Sequence, residues 1–129
     1  MKIVILGEPR TKKNSQQILI NHSTGRPFVS QSPAYKQYEH DAAWQVWQHW
    51  NNKPPIETRV NIKCVFCMKT HRKVDLTNLL GSIDDILTKF SVIKDDNCNI
   101  VAGHDGTRVR YDKDNPRVEI DITELGEEE

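Results

Sequence analysis

Residues 75–96 read DLTNLLGSIDDILTKFSVIKDD, and this stretch decides the fold of the chain. Apolar residues recur in it at helical spacing and predict a helix over Asp75–Phe90. Asp75 stands at the start of that helix, where a carboxylate is expected to cap free backbone N–H groups. Two adjacent carboxylates, Asp95 and Asp96, follow the helix. The stretch therefore predicts an amphipathic helix with acidic residues at its start and beyond its end.

The flanking sequence adds a second helix and a set of strands. Ser32 and the proline after it open a helix whose apolar spacing continues to the breaker at 51–55. Alternating apolar residues predict a strand over Arg59–Lys69. Shorter strands are predicted at Met1–Gly7, Ile18–Ile20, Phe28–Ser30, Asn99–Ala102, Thr107–Tyr111 and Arg117–Ile122, with a turn at His104–Gly106. We expect an α+β fold, a mixed β-sheet with two main helices packed on it, as a single small domain over residues 1–125 with a short acidic tail at 126–129.

The charge of the chain is zero in total, but it is unevenly distributed. Eighteen Lys and Arg residues balance 18 Asp and Glu residues. Residues 1–73 hold 12 basic against 4 acidic residues, a net +8, and residues 74–129 hold 6 against 14, a net −8. The zero total excludes a wholly basic protein that coats nucleic acid by charge alone. A basic half beside an acidic half indicates an anionic partner together with a carboxylate-rich site.

The cysteines and the apolar runs set the expected environment. No apolar run approaches the roughly 20 residues of a membrane span, and three cysteines, an odd number, favour a reducing cytoplasmic setting. Cys64 and Cys67 form a C-x-x-C pair that could bind zinc with His71, Cys98 or His104. Their odd spacing within a strand pattern points them to opposite faces, which favours buried or incidental thiols.

The aspartates are the main candidate site. They cluster within 22 positions, at Asp75, Asp84, Asp85, Asp95 and Asp96. Carboxylates are the hard oxygen ligands that Mg²⁺ or Mn²⁺ prefers, and such ions support phosphodiester cleavage. Ten helical residues separate Asp75 from Asp85 by roughly 15 Å, so those two cannot share one ion, but a chain that doubles back could bring Asp96 close to Asp75. Each aspartate alone could also be only a helix cap, a solvated helix position or a turn residue.

Basic residues accompany the aspartates in two segments. One is the loop Arg10–Lys13, and the other is the run from Lys69 through Arg72 and Lys73 into Asp75. Positive charge beside carboxylates suits a site that binds a phosphate backbone next to a metal, although each segment alone could be an ordinary solvated loop. The aromatic face of the first helix could be a platform for nucleic-acid bases, but packing on the sheet is the favoured interpretation.

These motifs together resemble the RusA family of Holliday-junction resolvases, which is common in prophages. The resemblance covers about residues 1–122 and is carried by Gly7-Glu8-Pro9 with Lys12-Lys13-Asn14, by Asp75-Leu76-Thr77-Asn78-Leu79-Leu80, by Asp84-Asp85-Ile86-Leu87 and by Val92-Ile93-Lys94-Asp95-Asp96. It implies a small α+β fold, a homodimer, and Mg²⁺-dependent cleavage of branched DNA in recombination and repair, with Mn²⁺ as a possible substitute. A two-fold dimer suits the approximate two-fold symmetry of a four-way junction, because two symmetric cuts are needed.

The resemblance also assigns roles to residues. It implies that Asp75 and Asp96 hold the metal and that Asp95 and Asp85 assist catalysis. The residues expected to contact DNA are Lys12, Lys13, Asn14, Arg72, Lys73 and Lys89.

Two positions depart from the family pattern. Thr77 stands where a second aspartate is expected, and Gly81 stands where a catalytic lysine is expected. The lysine role is then empty or filled by Lys89, Lys94 or a residue of the basic loop. A non-cleaving branched-DNA binder of the same fold is therefore an alternative, and a small interaction protein whose aspartates only cap and solvate the helix is a third.

Overall fold

The computed structural model describes residues 1–12 and 16–126. Its elements, in chain order, are β1 (Lys2–Leu6), β2 (Gln16–Ile20), β3 (Pro27–Gln31), α1 (Pro33–Trp50), β4 (Val60–Met68), α2 (Leu76–Lys89), β5 (Val101–Gly103), β6 (Arg108–Tyr111) and β7 (Arg117–Glu124). Both predicted helices and all predicted strands are confirmed, and their bounds differ from the prediction by two residues or fewer. Lys13, Asn14 and residues 127–129 of the predicted tail lie outside the described residues.

Helix α1 begins and ends at the predicted signals. The Ser32 side chain accepts a hydrogen bond from the Tyr35 N–H, with proline at the first helical position, and the helix ends at Asn51 in the left-handed region (φ 54°). The buried residues of α1 are Tyr35, Tyr38, Ala42, Val46 and Trp50, and they join the core, which agrees with the packing interpretation. Trp44 and Trp47 remain half exposed or more.

The main sheet is mixed, as expected of an α+β fold. β7 lies between β1 and β4 and runs antiparallel to both. β5 and β6 both pair in parallel with the other edge of β4, β5 at its start and β6 at its end. β2 and β3 form a separate antiparallel hairpin.

The turn between β5 and β6 is confirmed, but these two strands pair with β4 and not with each other. The Thr107 N–H donates to the His104 carbonyl over 3.1 Å and closes the turn. Side chains then hold the turn against β4: Asn61 exchanges two hydrogen bonds with the backbone of Asp105, and the Thr107 hydroxyl accepts from the Cys64 N–H. Because β4 has nine residues, its free edge accommodates both short strands.

Buried residues alternate along β4 and β7, so one face of the sheet packs against the helices. The buried face of α2 consists of Leu79, Ser82, Ile83, Ile86 and Leu87. The apolar members of this face join the core. Within the described ranges, no helix has the length and apolar character needed to cross a bilayer. The fold thus fixes α2 along its buried face and leaves the aspartates on its more exposed side.

Candidate active site

The start of α2 presents an exposed carboxylate that the helix does not use. Asp75 is the N-cap residue, but its side chain makes no capping hydrogen bond, so the expected capping role is wrong. Its backbone carbonyl accepts from the N–H groups of Asn78 and Leu79. The hydrogen bond that the Asp75 side chain accepts comes from the Asn78 side-chain amide, which donates to Asp75 Oδ2 over 3.4 Å. The carboxylate is therefore available to a ligand.

Beyond α2 the chain reverses and returns along the helix. Ser91 adopts φ 62°, and Val92 and Ile93 are fully buried. Backbone hydrogen bonds join Ile56 to Val92 and Lys94, which anchors the segment that carries the next two residues. The chain thus turns at the end of α2, and the approach of Asp96 to Asp75, which the sequence allowed, stays a prediction.

Asp95 and Asp96 have opposite electrostatic environments. The Asp96 N–H donates to Asp95 Oδ1 over 2.7 Å and lowers the pKa of Asp95, with help from the Asn97 amide. Partial burial, the Asp95 side chain and the nearby charge of Asp85 raise the pKa of Asp96. Separated pKa values within one group of carboxylates are common at functional sites.

The carboxylates that affect the pKa of Asp96 form an acidic cluster with it, at the second half of α2 and the turn that follows. Asp85 and Asp84 both raise the pKa of Asp96 by charge repulsion, so the cluster consists of Asp84, Asp85, Asp95 and Asp96. Asp75 lies ten residues before Asp85, which is roughly 15 Å along the helix axis. The hydrogen bond of the Asp75 side chain goes to Asn78. A cation shared by Asp75 and Asp96 therefore stays a prediction.

The basic loop after β1 is pinned to α2 beside the acidic cluster. Thr11 is buried, and the Lys12 N–H donates to the buried Ser82 hydroxyl over 2.9 Å. The Lys12 ammonium then lies 4.0 Å from Asp85 Oδ2, and both side chains are about half exposed. The loop thus brings one of the predicted DNA contacts next to one of the predicted catalytic carboxylates.

A half-buried histidine, His104, contacts Asp84 of the acidic cluster. His104 Nδ1 lies 2.8 Å from the Ile62 carbonyl oxygen, and His104 Nε2 lies 3.0 Å from Asp84 Oδ2. Because a carbonyl oxygen only accepts, Nδ1 must carry a proton, and the contact with a carboxylate then needs a second proton on Nε2. The hydrogen bond with Asp84 raises the pKa of His104, which favours the imidazolium. Asp84 Oδ1 is buried and has no hydrogen-bond partner within residues 1–12 and 16–126.

This pair makes the stability of the protein depend on pH. Since the folded-state pKa of His104 exceeds its ordinary value, the stabilisation is complete below about pH 6.5 and is lost as pH rises through the folded-state pKa. His104→Leu should lower the free energy of unfolding by about 1–3 kcal/mol at pH 6, because Asp84 loses its charged partner. The loss should shrink toward pH 9. Urea denaturation at several pH values measures it.

The control for that measurement is His22→Leu, in the exposed turn between β2 and β3. It should leave the pH profile of stability unchanged. A His104→Leu deficit of equal size at pH 6 and pH 9 would show that the histidine acts through packing alone.

The remaining predicted DNA contacts occupy different surroundings. Arg72 lies 3.6 Å from Glu8, which links the segment before α2 to the loop after β1. Lys73 is exposed, and Lys89 forms an ion pair with Glu39 of α1. Arg72 and Lys73 thus lie toward the start of α2, and Lys89 lies at its end.

The zinc interpretation finds no support in the described ranges. Cys64 and Cys67 are both buried, and burial raises the pKa of the Cys64 thiol, which disfavours the metal-binding thiolate. No three His, Cys, Asp or Glu side chains of the described residues converge closely enough to hold a metal by themselves. Buried thiols, the favoured expectation, are what the structure contains.

Sequence reasoning missed the role of Ser82 and the pairing of Asp84 with His104. Ser82 is a polar residue of α2, yet it is buried and anchors the basic loop. Asp84 and His104 were noticed in separate motifs, but their pairing spans 20 residues. The available signal was the histidine in the turn before β6, but the spacing of residues along the chain did not show its partner.

Comparison with known proteins agrees with this geometry. No curated protein matches the chain. A family model described as Endodeoxyribonuclease RusA matches residues 7–123, which includes both helices, the basic loop and the whole acidic cluster. Because that match spans most of the 129 residues, the chain belongs to the RusA family of endodeoxyribonucleases, which act on Holliday junctions.

Proposed function

We propose that this protein is a metal-dependent endonuclease that resolves four-way DNA junctions by paired phosphodiester cuts in a homodimer. The observation that carries the proposal is the juxtaposition of Lys12 with Asp85 of the acidic cluster, on the same helix that has the exposed carboxylate of Asp75 at its start. Cations for the DNA backbone and hard oxygen donors for a metal thus lie on one surface.

The donor set fits a hard divalent cation such as Mg²⁺ or Mn²⁺. Asp84 Oδ1 is a buried oxygen that finds no hydrogen-bond partner among the described residues, and burial together with neighbouring carboxylates raises the pKa of Asp96, so the cluster holds excess negative charge. Mg²⁺ is usually held by one or two carboxylates together with substrate phosphates and water, so a complete protein ligand set is not required. When bound, such an ion activates water and stabilises the leaving oxygen. Asp75 and Asp96 are the proposed ligands, and Asp85 and Asp95 the proposed assisting carboxylates.

Lys12 is the best substitute for the lysine that the family carries at the position of Gly81. Lys89 is paired with Glu39, and Lys94 is paired with Glu57 over 3.0 Å. Lys12 instead stands beside Asp85, with its backbone fixed on Ser82. We therefore assign to Lys12 the contact with the scissile phosphate.

The dimer and the substrate follow from the symmetry of the reaction. A four-way junction has approximate two-fold symmetry, and a two-fold dimer presents two identical sites in that relation. Phosphate contacts carry no direct sequence information, so recognition would depend on the shape and charge of the junction. A cytoplasmic role in recombination and repair, and a prophage origin, complete the proposal.

The decisive experiment is a nicking assay on a four-way junction beside a linear duplex of the same arm sequence. We expect paired nicks in the junction with Mg²⁺ or Mn²⁺, none with EDTA and none in the duplex. If the protein binds the junction but makes no nicks with any divalent ion, the nuclease proposal is wrong and the second candidate, a non-cleaving DNA-binding protein, is favoured.

Two departures from the family pattern support that second candidate. Thr77 and Gly81 remove one carboxylate and one ammonium from α2, so the protein could bind branched DNA without cutting it. The third candidate, an interaction protein without DNA contacts, predicts no junction binding even at low salt, where electrostatic contacts with DNA are strongest.

A further inference from the structure

The edge of the main sheet carries an exposed pair of aromatic rings. His71 and Tyr111 stack with ring centroids 3.9 Å apart and an angle of 25° between their planes. Both residues are exposed, and nearly half of Tyr111, 48%, is accessible. Val109, two residues earlier on the same strand, is also 49% exposed. Beyond their contact with each other, these rings present flat aromatic surface to water in the part of the chain that the structure describes.

The backbone of the sheet holds this ring pair in place. Tyr111 is in register with Met68 at the end of β4, and the next N–H, of Asp112, donates to the Met68 carbonyl over 2.8 Å. His71 follows Met68 by three residues, so the loop after β4 folds back onto the end of β6. The platform, defined here as His71 with Tyr111, is thus fixed by two neighbouring strand ends.

Positive charge flanks the platform on the side of His71. Lys69, Arg72 and Lys73 belong to the same loop as His71, and no acidic residue interrupts residues 69–74. Within residues 1–12 and 16–126, no carboxylate lies within 4.0 Å of the Lys69 or Lys73 ammonium groups. Flat aromatic surface beside unpaired cations is the combination that binds exposed nucleobases and the backbone that carries them.

The platform lies close to the proposed cleavage site. His71 precedes Asp75 by four residues, so the two lie within about 14 Å even along a fully extended backbone. We propose that the His71–Tyr111 platform stacks on an unpaired DNA base at the branch point of the junction. This inference rests on the proposed function for its substrate. Stacking on such a base would allow the protein to distinguish branched DNA from a duplex whose bases are all stacked on one another.

The test measures binding in EDTA, so that no cleavage occurs, with three probes: a four-way junction, a linear duplex and an oligothymidylate strand. Tyr111→Ala should weaken binding of the junction and of the single strand by about 5- to 100-fold, because a stacked base loses its platform. Duplex binding should stay within about twofold of the wild type, since duplex bases stack on one another. His71→Ala, a change in an exposed loop, should reproduce the pattern even if Tyr111→Ala fails to fold.

Three further variants separate the effect of base stacking on affinity from the effect of charge and from the loss of any exposed aromatic ring. Tyr111→Phe keeps the ring and should bind like the wild type. Lys73→Ala should weaken all three probes and reduce the salt slope by about one, while Tyr111→Ala leaves the slope unchanged. Trp44→Ala removes an exposed ring from α1 and should change none of the three affinities.

The outcomes distinguish this inference from the proposed function. Equal losses on junction and duplex, or wild-type binding by both Tyr111→Ala and His71→Ala, would overturn the stacking role. A wild-type protein that binds neither the junction nor the single strand would overturn it as well. Tyr111-dependent junction binding in a protein that makes no nicks would support the platform and overturn only the nuclease.

Discussion

Asp75→Asn should lower the rate of junction cleavage by about 100-fold or more while leaving junction binding intact. The carboxylate makes no capping hydrogen bond, and its side-chain partner is the Asn78 amide, so the helix does not need its charge. Asparagine keeps the size of the side chain and removes the charge that a metal would use. Single-turnover nicking with Mg²⁺ measures the rate, and binding in EDTA measures affinity.

The matched control is Asp41→Asn. Asp41 is an exposed aspartate of α1 that accepts a hydrogen bond from Gln37, away from the proposed site. Its replacement should leave cleavage within about twofold of the wild type. Full cleavage by the Asp75→Asn variant would remove Asp75 from the metal site and would leave the acidic cluster as the place to look for ligands.

Lys12→Ala should also lower the rate of junction cleavage by about 100-fold. Adding Gly81→Lys to that variant should raise the rate again by at least about tenfold. Gly81 lies one helical turn before Asp85, so a lysine there would face the same carboxylate that Lys12 approaches. A Cβ at this exposed glycine meets no atom within 4 Å, so the side chain can be accommodated without moving a neighbour.

Gly81→Ala is the control for the rescue. Replacing a helical glycine should stabilise α2 by about 0.5–1 kcal/mol whether the new residue is alanine or lysine. If Lys12→Ala with Gly81→Ala cleaves as well as Lys12→Ala with Gly81→Lys, then helix stability and not the ammonium restores activity. Unimpaired cleavage by Lys12→Ala alone would contradict the assignment directly.

Much of the fold could be predicted because its signals are local. The period of the apolar residues located α1, α2 and β4, and Ser32 with the proline after it marked the start of α1. The pairing of the strands could not be predicted in this way. The parallel attachment of β5 and β6 to one edge of β4 depends on contacts such as Asn61 with Asp105, which no periodicity reports.

Some features of the candidate site could likewise be predicted from the sequence, and others could not. Spacing along the chain identified the aspartates of α2 and of the turn after it, and the resemblance assigned them roles. The surroundings of Asp84 came from a residue distant in sequence, His104 in the turn before β6. The Asp75 carboxylate instead accepts from the Asn78 amide three residues away and caps no backbone N–H group.

The sequence by itself thus determined the helix, the aspartates on it and the basic segments, because residue type and period act within a few positions of one another. Only the tertiary structure decided which of these groups meet. Lys12 reaches Asp85 across 73 positions, with its backbone anchored on Ser82, and His71 stacks on Tyr111 across 40. Such contacts exist because the sheet and the buried face of α2 fix the strand ends and loops in space, and the spacing of residues along the chain does not encode that arrangement.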